Sequence, residues 1–185
     1  MSALHYCHEV KNFSHRDIKP ENIMLDEFGK LYLCDFGVGQ FFEADNDVIR
    51  GAFGTVRFMA PEMLGVKQNS ELHGRSIDMW AAGVTLFNLL TKEYPFNGTT
   101  FPQIRDQLQA NKPPLEKIKN PKIRELIKSL FEKDPSKRPR TIDIIENSWL
   151  TKDGTDPIDL DLSSVSGSPT PSVTSLTERT ESKRR

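Results

Sequence analysis

Apolar positions recur at helical spacing in five stretches of the chain, and polar residues separate them. Leu4, Cys7 and His8 share one face of a helix that ends near Lys11. Ile23-Met24-Leu25 and Leu31-Tyr32-Leu33-Cys34 are short apolar runs joined through Gly29, which predicts a small hairpin with Ile23, Met24 and Leu25 in the core. Ser76 to Leu90 is apolar on nearly every side, through Met79, Trp80, Ala81, Ala82, Val84, Leu86, Phe87, Leu89 and Leu90. A helix apolar all round is buried, so this one is expected to be the axis of the domain. Phe101, Ile104 and Leu108 mark an amphipathic helix, and Ile123, Leu126, Ile127, Leu130 and Phe131 mark another. The second is entered by Asn120 as cap and Pro121 at its first position. Ile142, Ile144, Ile145, Trp149 and Leu150 predict a last helix. No internal repeat is visible.

The pattern stops near Asp153. From Ser163 the chain is rich in Ser, Thr and Pro, has no aromatic residue, and ends in Lys183-Arg184-Arg185. Such a segment cannot bury enough apolar surface to offset its ordering entropy, so residues 152–185 read as a disordered tail behind a domain over residues 1–151. The 185 residues leave room for one domain, and 36% of them are hydrophobic. A net charge of -1 gives no reason to expect nucleic acid or an anionic membrane as partner. Met1 to His8 lacks a basic region followed by an apolar one, and no apolar run is long enough to span a bilayer. Cys7 and Cys34 do not make a disulfide framework, so a reducing compartment, cytoplasmic with the nucleus as a second candidate, is expected.

The chemistry sits near the start. His15-Arg16-Asp17-Ile18-Lys19-Pro20-Glu21-Asn22 is followed by Asp35-Phe36-Gly37. A carboxylate, an ammonium, an amide and a second carboxylate within this span are what phosphoryl transfer from ATP needs. One carboxylate orients the attacking hydroxyl, the lysine meets the transferring phosphate, and the amide and second carboxylate hold metal ions. Ala60-Pro61-Glu62, Asp78-Met79-Trp80-Ala81-Ala82-Gly83 and Arg138-Pro139 then follow in order.

This ordered set resembles the eukaryotic protein kinases from Met1 to Leu150. The resemblance implies a mainly α fold: a kinase C-terminal lobe with a small β-hairpin and no N-terminal lobe. It implies that Asp17 is the base or positioner for the substrate hydroxyl, that Lys19 contacts the γ-phosphate, and that Asn22 and Asp35 hold Mg2+. A lysine two residues after the aspartate is typical of Ser/Thr-specific kinases. Met24 falls where kinases close the floor of the adenine pocket. His15 and Phe36 resemble internal packing residues of the kinase spine, supported by Asp78, and Glu62 and Arg138 resemble a buried ion pair. Gly37 completes the Asp-Phe-Gly motif. Thr55 is expected to bond the catalytic aspartate and lysine. Cys34 precedes Asp35 at a position facing the ATP site, and reads as a small buried hydrophobe. His5, His8 and His73 lack metal-ligand spacing and read as surface or helix-packing residues.

Between Val38 and Met59 the only hydroxyl residue is Thr55. Many kinases carry an activating phosphosite where Gly51 stands here, and that phosphate pairs with the arginine before the catalytic aspartate, here Arg16. Glu43, Asp45 and Asp47 are expected to supply part of that charge instead, which implies an enzyme active without loop phosphate. Phe58-Met59-Ala60-Pro61-Glu62, Met79 to Phe87 and Trp149-Leu150-Thr151-Lys152-Asp153-Gly154 resemble the calcium/calmodulin-dependent protein kinase kinases, although Gly54-Thr55-Val56-Arg57 departs from the usual Gly-Thr-Pro-Ala. The expected activity is transfer of the ATP γ-phosphate to Ser or Thr of a protein, with another kinase as a candidate substrate. Residues 151–185 contain no basic amphipathic helix, so calmodulin binding is not supported. Ser168 and Thr170, each before a proline, are candidate phosphosites.

The glycine-rich loop, the third-strand lysine and its glutamate partner are not in these residues, so little activity is expected from them alone. A fragment of a longer kinase, a short product acting as a binding or dominant-negative module, and a degenerate scaffold are the three accounts. Intact Asp17, Lys19, Asn22 and Asp35 weigh against the last.

Overall fold

The computed structural model describes residues 1–65 and 71–155. The predicted tail beyond Thr155, with Ser168 and Thr170, lies outside the described residues.

The first helix, α1 (Ser2–His5), runs on as a single π turn over Tyr6–Val10, and buries Leu4, Cys7 and His8. Three short antiparallel pairs follow. β1 (Phe13–Ser14) pairs with β4 (Gln40–Phe41), β2 (Ile23–Leu25) with β3 (Leu31–Leu33), and β5 (Val48–Ile49) with β6 (Leu72–His73). Two-residue strands are too short to leave an alternating pattern, so the first and third pairs were not foreseeable. The β2–β3 hairpin was, but its burial was not. Leu33 packs on the core, yet Met24, Leu25 and Leu31 are 60%, 66% and 64% exposed. A two-stranded ribbon has no second layer of its own, and among the described residues nothing covers its outer face. Met24 and Leu25 are therefore not core residues here.

Helix α2 (Gly74–Thr91) is the axis. Ile77, Met79, Trp80, Val84 and Phe87 are all within 1% of complete burial. Burial stops near its end: Leu89 and Leu90 are each 47% exposed. Lys92 closes the helix in the left-handed conformation, its N–H on Asn88 O at 2.8 Å. Trp80 stacks on Phe96 and meets Phe131 at 5.2 Å between ring centres. A truncation of Trp80 to Ala would cost about 3–5 kcal/mol.

Helix α3 (Phe101–Ala110) buries Ile104 and Leu108 but leaves Phe101 at 40% exposure. Helix α4 (Pro121–Leu130) buries Ile123, Leu126, Ile127 and Leu130, and Asn120 Oδ1 accepts the N–H of Lys122 at 2.9 Å and of Ile123 at 3.4 Å. The last helix is shorter than expected: α5 covers only Thr141–Ile144. Asn147 is the reason. Its N–H turns back to Ile144 O at 2.9 Å and its side chain takes the Trp149 N–H at 3.0 Å, a local bond that competes with the helix. Trp149 and Leu150 reach the core from turns. Among the described residues, no helix is long and apolar enough to cross a membrane.

Candidate active site

The segment from His15 to Asn22 joins β1 to β2 and is held from below by α2. Asp78 is fully buried, and its carboxylate accepts the N–H of His15 and of Arg16, each at 2.8 Å, and Nε2–H of His8 at 2.9 Å. Three donors offset the cost of burying that charge. Arg16 needs such support, because its φ is +65° and a side chain strains the left-handed region. His8, expected at the surface or packed on a helix, is fully buried and also a donor to Asp78.

Asp17 lies at the centre of the polar cluster. Lys19 Nζ donates to Asp17 Oδ2 at 2.7 Å and to Thr55 Oγ1 at 2.8 Å. Thr55 donates both its N–H and its hydroxyl to Asp17 Oδ1, at 2.8 and 2.7 Å. Asn22 Nδ2 donates to Asp17 O at 2.8 Å and Oδ2 at 3.1 Å. Burial alone would raise the Asp17 pKa, but the bonds from Lys19 and Thr55 outweigh it and hold the carboxyl below the usual aspartate value. Thr55 gets this close because of the residue before it. Gly54 has φ +112°, and a Cβ there would lie 2.2 Å from Arg16 O.

Asp35 is attached to this cluster through the main chain. Cys34 N–H donates to Asn22 O at 2.9 Å, and His15 Nε2–H donates to Cys34 O at 2.9 Å. His15 Nδ1 is then the acceptor for the Asp17 N–H at 3.3 Å. Asp35 is exposed with φ +60°, and its Oδ1 accepts the Gly37 N–H at 3.3 Å. Phe36 packs edge-on against His15 at 4.9 Å but stays 47% exposed, so it is not the internal residue expected of it. Phe13 is a second ring neighbour, tilted at 5.9 Å between ring centres.

Asn22 and Asp35 fit a hard cation. The amide hydrogens of Asn22 point to Asp17, which leaves Oδ1 as an oxygen ligand, and Asp35 offers an exposed carboxylate. Two protein oxygens beside phosphate and water suit Mg2+. Cys34 is half-buried, and Met24 stands exposed on β2.

Glu62 and Arg138 form a bidentate pair at 2.8 and 3.2 Å, with side chains 1% and 0% exposed. Arg138 also donates to Ser76 O and Glu132 O and lies over the Trp80 ring. The loop acids behave differently from the expectation. Asp47 pairs with His73 at 2.8 Å and takes the Arg75 N–H at 3.1 Å, while Glu43 and Asp45 are exposed. None of the three bonds Arg16 among the described residues. Gln40 reaches it at 3.0 Å, beside the carbonyls of Val38 and Arg50, and no pattern in the sequence marked Gln40.

A family model described as the protein kinase domain matches residues 1–150. The chain belongs to the protein kinase family. Serine/threonine-protein kinase GRIK1 of Arabidopsis thaliana is 38% identical over 82% of the chain and 37% of its own length. Serine/threonine-protein kinase ppk34 of Schizosaccharomyces pombe is 34% identical over 82% of the chain and 42% of its own length. The calcium/calmodulin-dependent protein kinase kinase of Caenorhabditis elegans is 33% identical over 85% of the chain and 29% of its own length. The chain thus spans well under half the length of these curated relatives, two of them Ser/Thr kinases by name.

Proposed function

We propose that these residues are the helix-rich C-terminal lobe of a Ser/Thr protein kinase that transfers the ATP γ-phosphate to a hydroxyl of a protein. The observation that carries this reading is the convergence of Lys19, Thr55 and Asn22 on one carboxylate, Asp17. That carboxylate is held ionised and aimed, so it can orient a Ser or Thr hydroxyl and receive its proton. Lys19 sits where it can pass from Asp17 to a transferring phosphoryl group. Asn22 and Asp35 are the side chains that would hold Mg2+, and a bound magnesium ion would neutralise charge on the phosphates. Thr55 fixes the Asp17 rotamer and the distance to Lys19.

The substrate class is a protein, with another kinase as the candidate, by analogy with the kinase kinase among its relatives. Two free thiols, Cys7 and Cys34, suit a cytoplasmic or nuclear setting. A non-catalytic binding module is the second reading. It is favoured by the exposed apolar residues Met24, Leu25, Phe28 and Leu31 along one hairpin. A phosphotransfer assay on the natural full-length protein, with Asp17→Asn as control, separates the two. Transfer that disappears in Asp17→Asn while the thermal midpoint is kept supports the kinase. Absence of transfer from the parent protein at saturating Mg-ATP rejects it and leaves the binding module. The 185 residues alone are expected to transfer little phosphate.

A further inference from the structure

We propose that Phe53 is a positioning residue whose ring holds the Arg16 guanidinium and thereby fixes the neighbouring Asp17, an inference that rests on the kinase reading of the site. Among the described residues the Arg16 side chain has four partners. Nε donates to Val38 O, and one terminal nitrogen donates to Gln40 Oε1 and to Arg50 O, each at 3.0 Å. The fourth is the Phe53 ring, with the guanidinium carbon 4.8 Å from its centre. All four are uncharged. The Asp78 carboxylate, which bonds the Arg16 N–H, acts on the guanidinium only through space, so the π face supplies a direct side-chain contact that no anion makes among the described residues.

The local backbone is built around that contact. Gly51 has φ +76°, and a Cβ there would lie 2.4 Å from the Phe53 ring. A side chain at position 51 would have to displace the Phe53 ring from this placement. This is a physical reason for the glycine, where the sequence showed only a missing hydroxyl. Phe53, Gly54 and Thr55 then act as one strap. The ring lies on the Arg16 guanidinium, Gly54 passes close to the Arg16 carbonyl, and Thr55 donates twice to Asp17. Gln40 braces the far side, because its Oε1 also accepts the Arg50 N–H at 3.3 Å and its backbone pairs with Ser14. Phe53 is 51% exposed, so hydrophobic burial accounts for only part of its placement.

The test compares Phe53→Leu, which keeps apolar bulk without a π face, with Phe53→Tyr, which keeps the face. Both are made in the natural full-length protein. Two quantities are measured: amide hydrogen exchange at Gly54 and Thr55, and kcat and KM for Mg-ATP. A cation–π contact of this exposure predicts exchange about threefold faster and kcat lower by about the same factor in Phe53→Leu, with KM unchanged and Phe53→Tyr close to the parent. Exchange in Phe53→Leu equal to the parent overturns the proposal, and so does equal damage in both variants, which would make the role one of bulk. If the parent shows no Asp17-dependent transfer, the kinase reading fails, and the exchange comparison still decides whether the ring holds the strap.

Discussion

The Asp78 carboxylate accepts the Arg16 N–H at 2.8 Å, at a residue whose φ is +65°. The buried helix α2 thus holds the backbone of the reactive segment in a conformation that it would not keep unaided. The same carboxylate takes His15 N–H and His8 Nε2–H, so one side chain fixes three donors from two elements. Asp78→Ala leaves all three without that acceptor, two of them on fully buried residues. At about 1–3 kcal/mol for each unsatisfied group, a loss of several kcal/mol of stability is expected. Asp78→Asn, which keeps one acceptor oxygen, is expected to lose less. Chemical denaturation of the full-length protein checks the order Ala worse than Asn. Equal stability of the three forms would remove Asp78 from this role.

Glu62 and Arg138 give a second stability prediction. Removal of either partner strands a charge with essentially no exposure, at a cost of about 3–5 kcal/mol. Arg138 also donates to two backbone carbonyls and covers Trp80, so Arg138→Ala is expected to cost more than Glu62→Ala. Arg138→Lys is expected to be nearly as damaging, because an ammonium cannot form the bidentate contact. Thermal melts of the three variants give the ranking directly.

Much of the site could be read in advance because its residues are close in sequence. His15 to Asn22 and Asp35 to Gly37 span few residues, so their juxtaposition needed one hairpin and nothing more. The axis helix was legible from Ile77 to Phe87, because apolarity on every side has one physical outcome. What could not be read were contacts set by tertiary geometry. His8 on Asp78, Gln40 on Arg16 and Asp47 on Arg75 join positions 70, 24 and 28 residues apart and involve side chains with no periodic signature. The exposure of Met24 and Phe36 was misread for a related reason. An apolar residue next to a motif looks like core until the layer that would cover it can be located. The end of α5 was missed because Asn147 bonds its own neighbourhood, and nothing in the spacing of Ile144, Trp149 and Leu150 reveals that choice.

The loop acids provide a test of charge. Glu43 and Asp45 are exposed and do not bond Arg16, so they do not act as a substitute for loop phosphate. Glu43→Gln and Asp45→Asn are expected to leave transfer activity within about twofold of the parent, as surface changes usually do. A tenfold loss in either variant would restore the electrostatic role that their position in the sequence suggested.

Cys7 carries a pH prediction. Burial, with the nearby Asp78 charge, raises its thiol from 9.0 to about 11. The unfolded chain gives up this proton near pH 9.0 and the folded chain keeps it, so the stabilisation is intact below the unfolded value and is lost as pH rises toward the folded one. The loss approaches about 2–3 kcal/mol at the top of that window, at 1.36 kcal/mol per pH unit. Denaturation between neutral and strongly alkaline pH, with Cys7→Ala as reference, should show a steeper alkaline decline in the parent. Parallel curves would contradict the shift. At neutral pH iodoacetamide should label half-buried Cys34 well before Cys7.

Thr55 links the cluster to pH-dependent activity. Its two bonds and that of Lys19 hold the Asp17 pKa low against the effect of burial. Thr55→Val removes the hydroxyl donor and the acceptor that steadies Lys19, but leaves the N–H bond. The Asp17 pKa should then rise toward its ordinary value, because burial still acts and one opposing bond is gone. If ionised Asp17 is the form that works, the acid limb of kcat moves to higher pH in Thr55→Val. The depressed carboxyl also contributes stability above its unfolded pKa of 3.8 and loses it as pH falls through the folded one, so Thr55→Val should be less stable than the parent at neutral pH and converge with it in strong acid. Thr55→Ser keeps the hydroxyl and should restore the parent profile. A pH–rate profile of the full-length kinase across the acid range separates these variants. An unshifted acid limb in Thr55→Val, with kcat reduced at every pH, would mean that Thr55 places Lys19 and does not tune Asp17.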